Sequence, residues 1–129
     1  MTEFSPLEKE VMSAILTSLV GDQEKVAHMI QSLSISDRSF SRDVRDSSKC
    51  SGFYLNLKPN SVLADLKAVP HHLSVHAGSE ATPAGGDFIL FFSQDRRGID
   101  FLEATFFDYT LPMDQLLKQS HGFTIGQVS

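Results

Sequence analysis

Carboxylates, histidines and arginines in the carboxyl-terminal half, with one cysteine, carry the chemistry this sequence offers. Glu103 lies in the segment Ile99–Phe107. If that segment is a regular strand, Glu103 shares a face with Ile99, Phe101, Thr105 and Phe107, while Asp100 and Asp108 occupy the other. A carboxylate among apolar neighbours is costly unless it is paired. Two roles follow for Glu103. It is a general base with a raised pKa, working with a histidine such as His76, or it is half of a structural ion pair with Arg38, Arg42 or Arg45. The second is the commoner outcome for such a residue.

The histidines His71, His72 and His76 fall within six residues. In a strand, His72 and His76 share a face but stand roughly 13 Å apart. Two ligands of one zinc, each with a bond of ~2 Å, cannot span that distance. A helix would bring them together, but His-Leu-Ser-Val-His lacks the glutamate of a metalloprotease helix. The sequence therefore predicts no metal and no cofactor, with these histidines, His28 and His121 as ordinary polar side chains. Arg96 and Arg97 sit in a turn, where they are candidates, with Asp100 and Asp108, for touching a partner. Cys50 is the one cysteine. It cannot form an intramolecular disulfide, and adjacent Lys49 points to the opposite face in a strand, so no cation activates its thiol. Gly85-Gly86-Asp87 precedes a strand rather than a helix and does not make a phosphate cradle.

The elements that must position these residues read as follows. Ser5-Pro6-Leu7-Glu8 is a helix start, with Ser5 as cap, Pro6 at the first position and Glu8 completing a capping box. Leu7, Val11, Ala14, Ile15 and Leu19 make a helical stripe. Gly21 ends that helix, and Asp22 caps a second one with Val26, Met29, Ile30 and Leu33 on its apolar side. Helices are expected over 6–19 and 23–33. Alternation follows in 32–40, in 52–57 (Phe53, Leu55 and Leu57 inward; Tyr54 and Asn56 outward) and in 72–76. Residues 78–86 form a loop. Residues 87–93 and 99–107 form a hairpin around Gln94–Gly98. The first arm is apolar on both faces, which predicts a central strand covered on both sides. The tail, with Phe123, Ile125 and Val128, supplies an edge strand. Residues 61–69 read equally as a strand or a helical turn.

This order implies an α+β fold: an amino-terminal helical hairpin packed on a largely antiparallel sheet of about five or six strands, in a single domain over 1–129. The expected core is Leu7, Val11, Ile15, Leu19, Ile30, Phe53, Leu55, Leu90, Phe92, Phe101 and Leu102. The chain's 129 residues suffice for such a core without disulfides or metal. Lys plus Arg number 11 and Asp plus Glu 16, a formal charge of −5. That balance argues against a nucleic-acid partner held by charge. The longest apolar run, Phe88–Phe92, is far short of the ~20 residues that span a bilayer. The acidic start is unlike a secretory signal. The expectation is a cytoplasmic protein with no membrane partner.

Leu7-Glu8-Lys9-Glu10-Val11, Ser51-Gly52-Phe53-Tyr54 and Gly98-Ile99-Asp100-Phe101-Leu102-Glu103-Ala104, followed by Tyr109 and Pro112, form a pattern. It resembles a group of small uncharacterised bacterial proteins with a Gly-Phe-aromatic strand and a carboxyl-terminal Gly turn leading into a Leu-Glu arm. Here Ala104 stands where glycine is usual and Leu111 where tryptophan is usual. The resemblance implies the fold and a bacterial cytoplasmic setting. The group has no established activity; some relatives look like the small solitary proteins found beside toxin genes.

Three functions are therefore expected, in this order. The first is a non-catalytic binding protein, an immunity-like partner of another protein whose acidic surface steers it to a basic one. The second is a small hydrolase or isomerase using Glu103 with a histidine. The third is a homodimer paired through an edge strand.

Overall fold

A computed structural model describes residues 3–80, 82–107 and 110–129. Helix α1, Pro6–Val20, begins with the expected capping box: the Ser5 hydroxyl accepts from the Glu8 amide, and Glu8 accepts from the Ser5 amide. It ends at Gly21, whose φ of 84° is a left-handed conformation that glycine adopts without penalty. Helix α2, Gln23–Gln31, is capped by Asp22, which accepts from the amides of Glu24 and Lys25. It stops short of Leu33, which stays buried beyond the helix end.

The strands are β1 (Ile35–Arg42), β2 (Lys49–Leu57), β3 (His72–Gly78), β4 (Gly86–Phe92), β5 (Ile99–Phe106), β6 (Leu111–Pro112) and β7 (Thr124–Val128), with the short helix α3 (Met113–Leu116) after β6. They form one seven-stranded sheet in the order β1-β2-β5-β4-β3-β7, with β6 paired to the start of β2. Every pairing is antiparallel. The fold is thus α+β, an amino-terminal helical pair on an antiparallel sheet. The hairpin of 87–93 with 99–107 is there as β4 and β5, at the centre of the sheet. Segment 61–69 is neither strand nor helix but a run of turns that seats Leu63 in the core.

Helix α1 lies against β3, β4 and β7, and α2 packs on α1. Beneath them runs the core face of the sheet: Phe53, Leu55, Val75, Phe88, Leu90, Leu102 and Phe106. The helices cover this face only. Strand β4 is central, yet Ile89 and Phe91 are half-exposed, so the expectation of cover on both sides is corrected. The same correction removes Phe101 from the core: it is the sheet neighbour of Phe91 and stands on the bare face. Leu19 is likewise only half-buried, at the margin of the helical pair.

A register shift between Phe91 and Phe92 explains the rest. Phe91 pairs with Phe101 and Phe92 with Ile99, leaving Asp100 as the extra residue of a bulge. The bulge turns Ile99 inward, where it is 2% exposed, while Phe101 and Glu103 stay outward. Glu103 therefore does not share a face with Ile99, as regular alternation would require. Asn60 braces this point. Its Oδ1 accepts from the Ile99 amide at 3.0 Å and its Nδ2 donates to the Ile99 carbonyl at 2.9 Å. A Cβ on Gly98 would stand 2.1 Å from the Asn60 carbonyl oxygen, so the close approach needs glycine there.

Candidate functional site: the open face of the sheet

Register lays the outward side chains out in rows across β2, β5, β4 and β3. One row is Asn56, Phe101, Phe91 and His72; the next is Tyr54, Glu103, Ile89 and Ser74; the third is Gly52, Thr105, Asp87 and His76. The Phe91 and Phe101 rings stack with centroids 4.5 Å apart and planes 19° apart. Tyr54 tilts toward Phe101 at 6.0 Å, and His72 toward Phe91 at 5.5 Å. At the far corner His76 stacks on Phe107 at 6.2 Å. An antiparallel sheet bare on one side ordinarily shows polar residues there. Here the centre of the bare side is aromatic, and Tyr54 and Phe107 are 40% and 38% exposed.

Glu103 stands within this face. Its partner is none of the three arginines proposed for it. The Tyr54 hydroxyl donates to Glu103 Oε2 at 3.0 Å. Donating that bond, and lying beside the carboxylate charge, pushes the Tyr54 phenol above its ordinary range. Arg38 is held elsewhere, on Glu8, and Arg42 donates to the Ser47 carbonyl. His76 bonds Asp87, Nδ1 to Oδ1 at 3.1 Å. It lies two strands and one row from Glu103, roughly 12 Å between Cα atoms at ordinary strand spacings. The face brings the two residues to one side of the sheet but not into contact.

Asp100, exposed at the bulge, lines an open groove with His71, His72, Phe91, Arg96 and Phe101. Arg96 has a φ of 62°, unusual for a residue with a side chain. Its guanidinium donates to the Ser93 and Gln94 carbonyls and reaches the His71 ring, closing the β4–β5 turn. Arg97 is exposed on the same turn, its amide donating to Asp95. The Ser93 hydroxyl and that amide hold the Asp95 carboxyl below its usual range. Asp108 lies outside the described residues.

His121 differs from the solvent-facing side chain expected of it. It is 6% exposed, bonds Glu10 through Nε2, and accepts at Nδ1 from the Phe123 amide at 3.0 Å. Cys50 is fully buried, and burial pushes its thiol up. Among the described residues no three His, Cys, Asp or Glu side chains gather as a metal site would need. Among them, too, no helix is long and apolar enough to cross a membrane.

Sequence reasoning set Tyr54 outward but did not place it beside Glu103. That contact needs β2 next to β5, with β3 and β4 intervening in the chain. The outward alternation of Tyr54, Ile89 and Phe91 was the available signal. Comparison with protein-family models, with curated proteins and with solved structures found no match for the chain.

Proposed function

We propose that the chain is a non-catalytic binding protein that takes a protein partner on the open face of its sheet, in the manner of an immunity protein, in the cytoplasm. One observation carries this reading: a stacked aromatic strip crosses the side of the sheet that the helices leave bare. Exposed apolar surface of this kind, rimmed by polar residues, marks interaction sites. The reaction readings have less support. Glu103 and His76 each bond a different neighbour, and neither is buried in the manner that tunes a general base. Pairing through the edge strand β1 is also disfavoured. Register shifts interrupt β1 at both ends, and Asp37 and Arg42 add charge along it, two devices that blunt an edge.

The test is capture from a lysate of the source cells by the tagged chain, by a Phe91→Ser/Phe101→Ser variant, and by Lys25→Glu on α2. A protein retained by the wild type and by Lys25→Glu, but lost from the double variant, is the expected result. Equal retention by all three, or no protein retained, overturns the reading.

A further inference from the structure

Resting on that docking surface, we propose that it contains a seat for one arginine side chain of a basic protein partner, formed by Glu103, Tyr54 and Phe101. The argument is one of charge and stacking. At the outward positions of β2 to β5 described above, the acidic and imidazole groups are Glu103, Asp87, His72 and His76, with the Tyr54 phenol beside them and no lysine or arginine among them. Asp37 joins them from β1, bonded by the Asn56 amide at 2.7 Å, and Asp100 from the bulge. A fixed cation, Arg96, stands at the turn end of the groove.

The four carboxylates are not equivalent. Asp37 already accepts from Asn56, Asp87 is bonded to His76, and Asp100 shares its groove with Arg96. Glu103 receives a neutral phenol on Oε2, and among the described residues its Oε1 accepts no hydrogen bond. It is the acid on this face that stands beside two aromatic rings with no cation bonded to it. Beside it stand the Tyr54 and Phe101 rings, 6.0 Å apart and 53° from parallel.

A cation seated against aromatic rings and a carboxylate gains from both. Guanidinium fits better than ammonium, because its plane lies against a ring while its edge forks to carboxylate oxygens. Such a residue is the usual energetic centre of an interface.

The experiment titrates the isotope-labelled full chain with the synthetic peptides Gly-Arg-Gly-Arg-Gly, Gly-Lys-Gly-Lys-Gly and Gly-Glu-Gly-Glu-Gly, read by amide chemical shifts. The arginine peptide is expected to give saturable shifts confined to Tyr54, Phe101, Glu103 and their strand neighbours, weakening with salt. The lysine peptide should bind more weakly and the glutamate peptide not at all. Glu103→Gln should weaken the arginine peptide about tenfold, the scale of a hydrogen bond to a charged group. Tyr54→Phe, a second variant, should weaken it less.

Equal binding of arginine and lysine peptides, shifts scattered over acidic residues such as Glu24, or indifference to Glu103→Gln overturns the seat. So does sedimentation showing a dimer that Phe101→Ser dissociates, since a second copy would then occupy the face. If lysate capture depends on the face but the captured partner presents no arginine to it, the seat fails while the docking surface stands.

Discussion

Arg38 grips Glu8 with two hydrogen bonds, Nε to Oε2 at 2.8 Å and Nη2 to Oε1 at 2.7 Å, and both side chains are nearly sealed from solvent. Among the described residues the buried carboxylate is therefore on α1, not on β5. The same Glu8 accepts from the Ser5 amide, so one side chain caps the helix and ties it to β1. Breaking such a pair leaves an uncompensated charge in the interior. Glu8→Gln or Arg38→Met should each cost about 3–5 kcal/mol in denaturant unfolding. A loss under ~1 kcal/mol would show that solvent reaches the pair and screens it.

Glu103→Gln should behave oppositely. Glu103 is half-exposed, and its partner is a neutral hydroxyl on an exposed ring, so no cation is stranded by the change. Stability near pH 7 should move by less than ~1 kcal/mol, as surface substitutions do. The tyrosine titration should move instead. The Tyr54 phenol is held above the ordinary tyrosine value of ~10 first by its bond to Glu103 and then by the carboxylate charge. The stability this bond contributes is fully present below the unfolded-state pKa and is lost as pH rises through the raised folded value. Tyrosinate absorbance of a Tyr109→Phe variant, in which Tyr54 is the one remaining tyrosine, should titrate late. Adding Glu103→Gln should bring it back toward the ordinary value. No difference between the two titrations would mean that the contact does not form in solution.

The elements of this fold were largely legible in the sequence because they are local. The Ser5–Glu8 box, the Asp22 cap and Gly21 act within a few residues, and each sets a helix end as expected. The β4–β5 hairpin follows from a short turn between apolar arms. What the sequence did not disclose depends on the third dimension. A bulge at Asp100 leaves no mark in the alternation, yet it decides that Ile99 points inward while Glu103 points outward. The Glu8–Arg38 pair joins residues 30 apart, and Tyr54–Glu103 joins residues 49 apart. Both depend on strand order, which hydrophobic period does not encode. An apolar run such as Phe88–Phe92 reads the same whether its second face lies under a helix or awaits a partner.

Cys50 gives a test of core integrity. Its side chain is fully buried on β2, beside the two-residue strand β6, and loss of solvent raises the thiol above its ordinary value. Thiolate, the reactive form, is therefore scarce at neutral pH and shielded besides. A thiol reagent should react with the native protein slowly, and in denaturant at the rate of a free cysteine. A fast reaction in the native state would show that the β2–β6 pairing opens readily.

Asn60 braces the bulge that sets the facing of the aromatic strip. Its side-chain amide makes the two hydrogen bonds to Ile99 that a neighbouring strand would otherwise make, one as acceptor and one as donor. The brace lies immediately before Asp100, so it fixes where the bulge falls and hence which way Phe101 and Glu103 face. Asn60→Ala removes both bonds and a third, from Nδ2 to the Lys58 carbonyl, at about 1 kcal/mol net each, so a loss of about 3 kcal/mol is expected. Asn60→Asp retains an acceptor for the Ile99 amide but sets an acceptor-only oxygen against the Ile99 and Lys58 carbonyls, and should cost at least as much as alanine. Hydrogen exchange at the Ile99 amide should accelerate in Asn60→Ala and stay protected in Asn60→Asp. If stability and exchange are both unchanged in Asn60→Ala, the bulge is held by the Phe91–Phe101 stack and the burial of Ile99 rather than by the amide clasp.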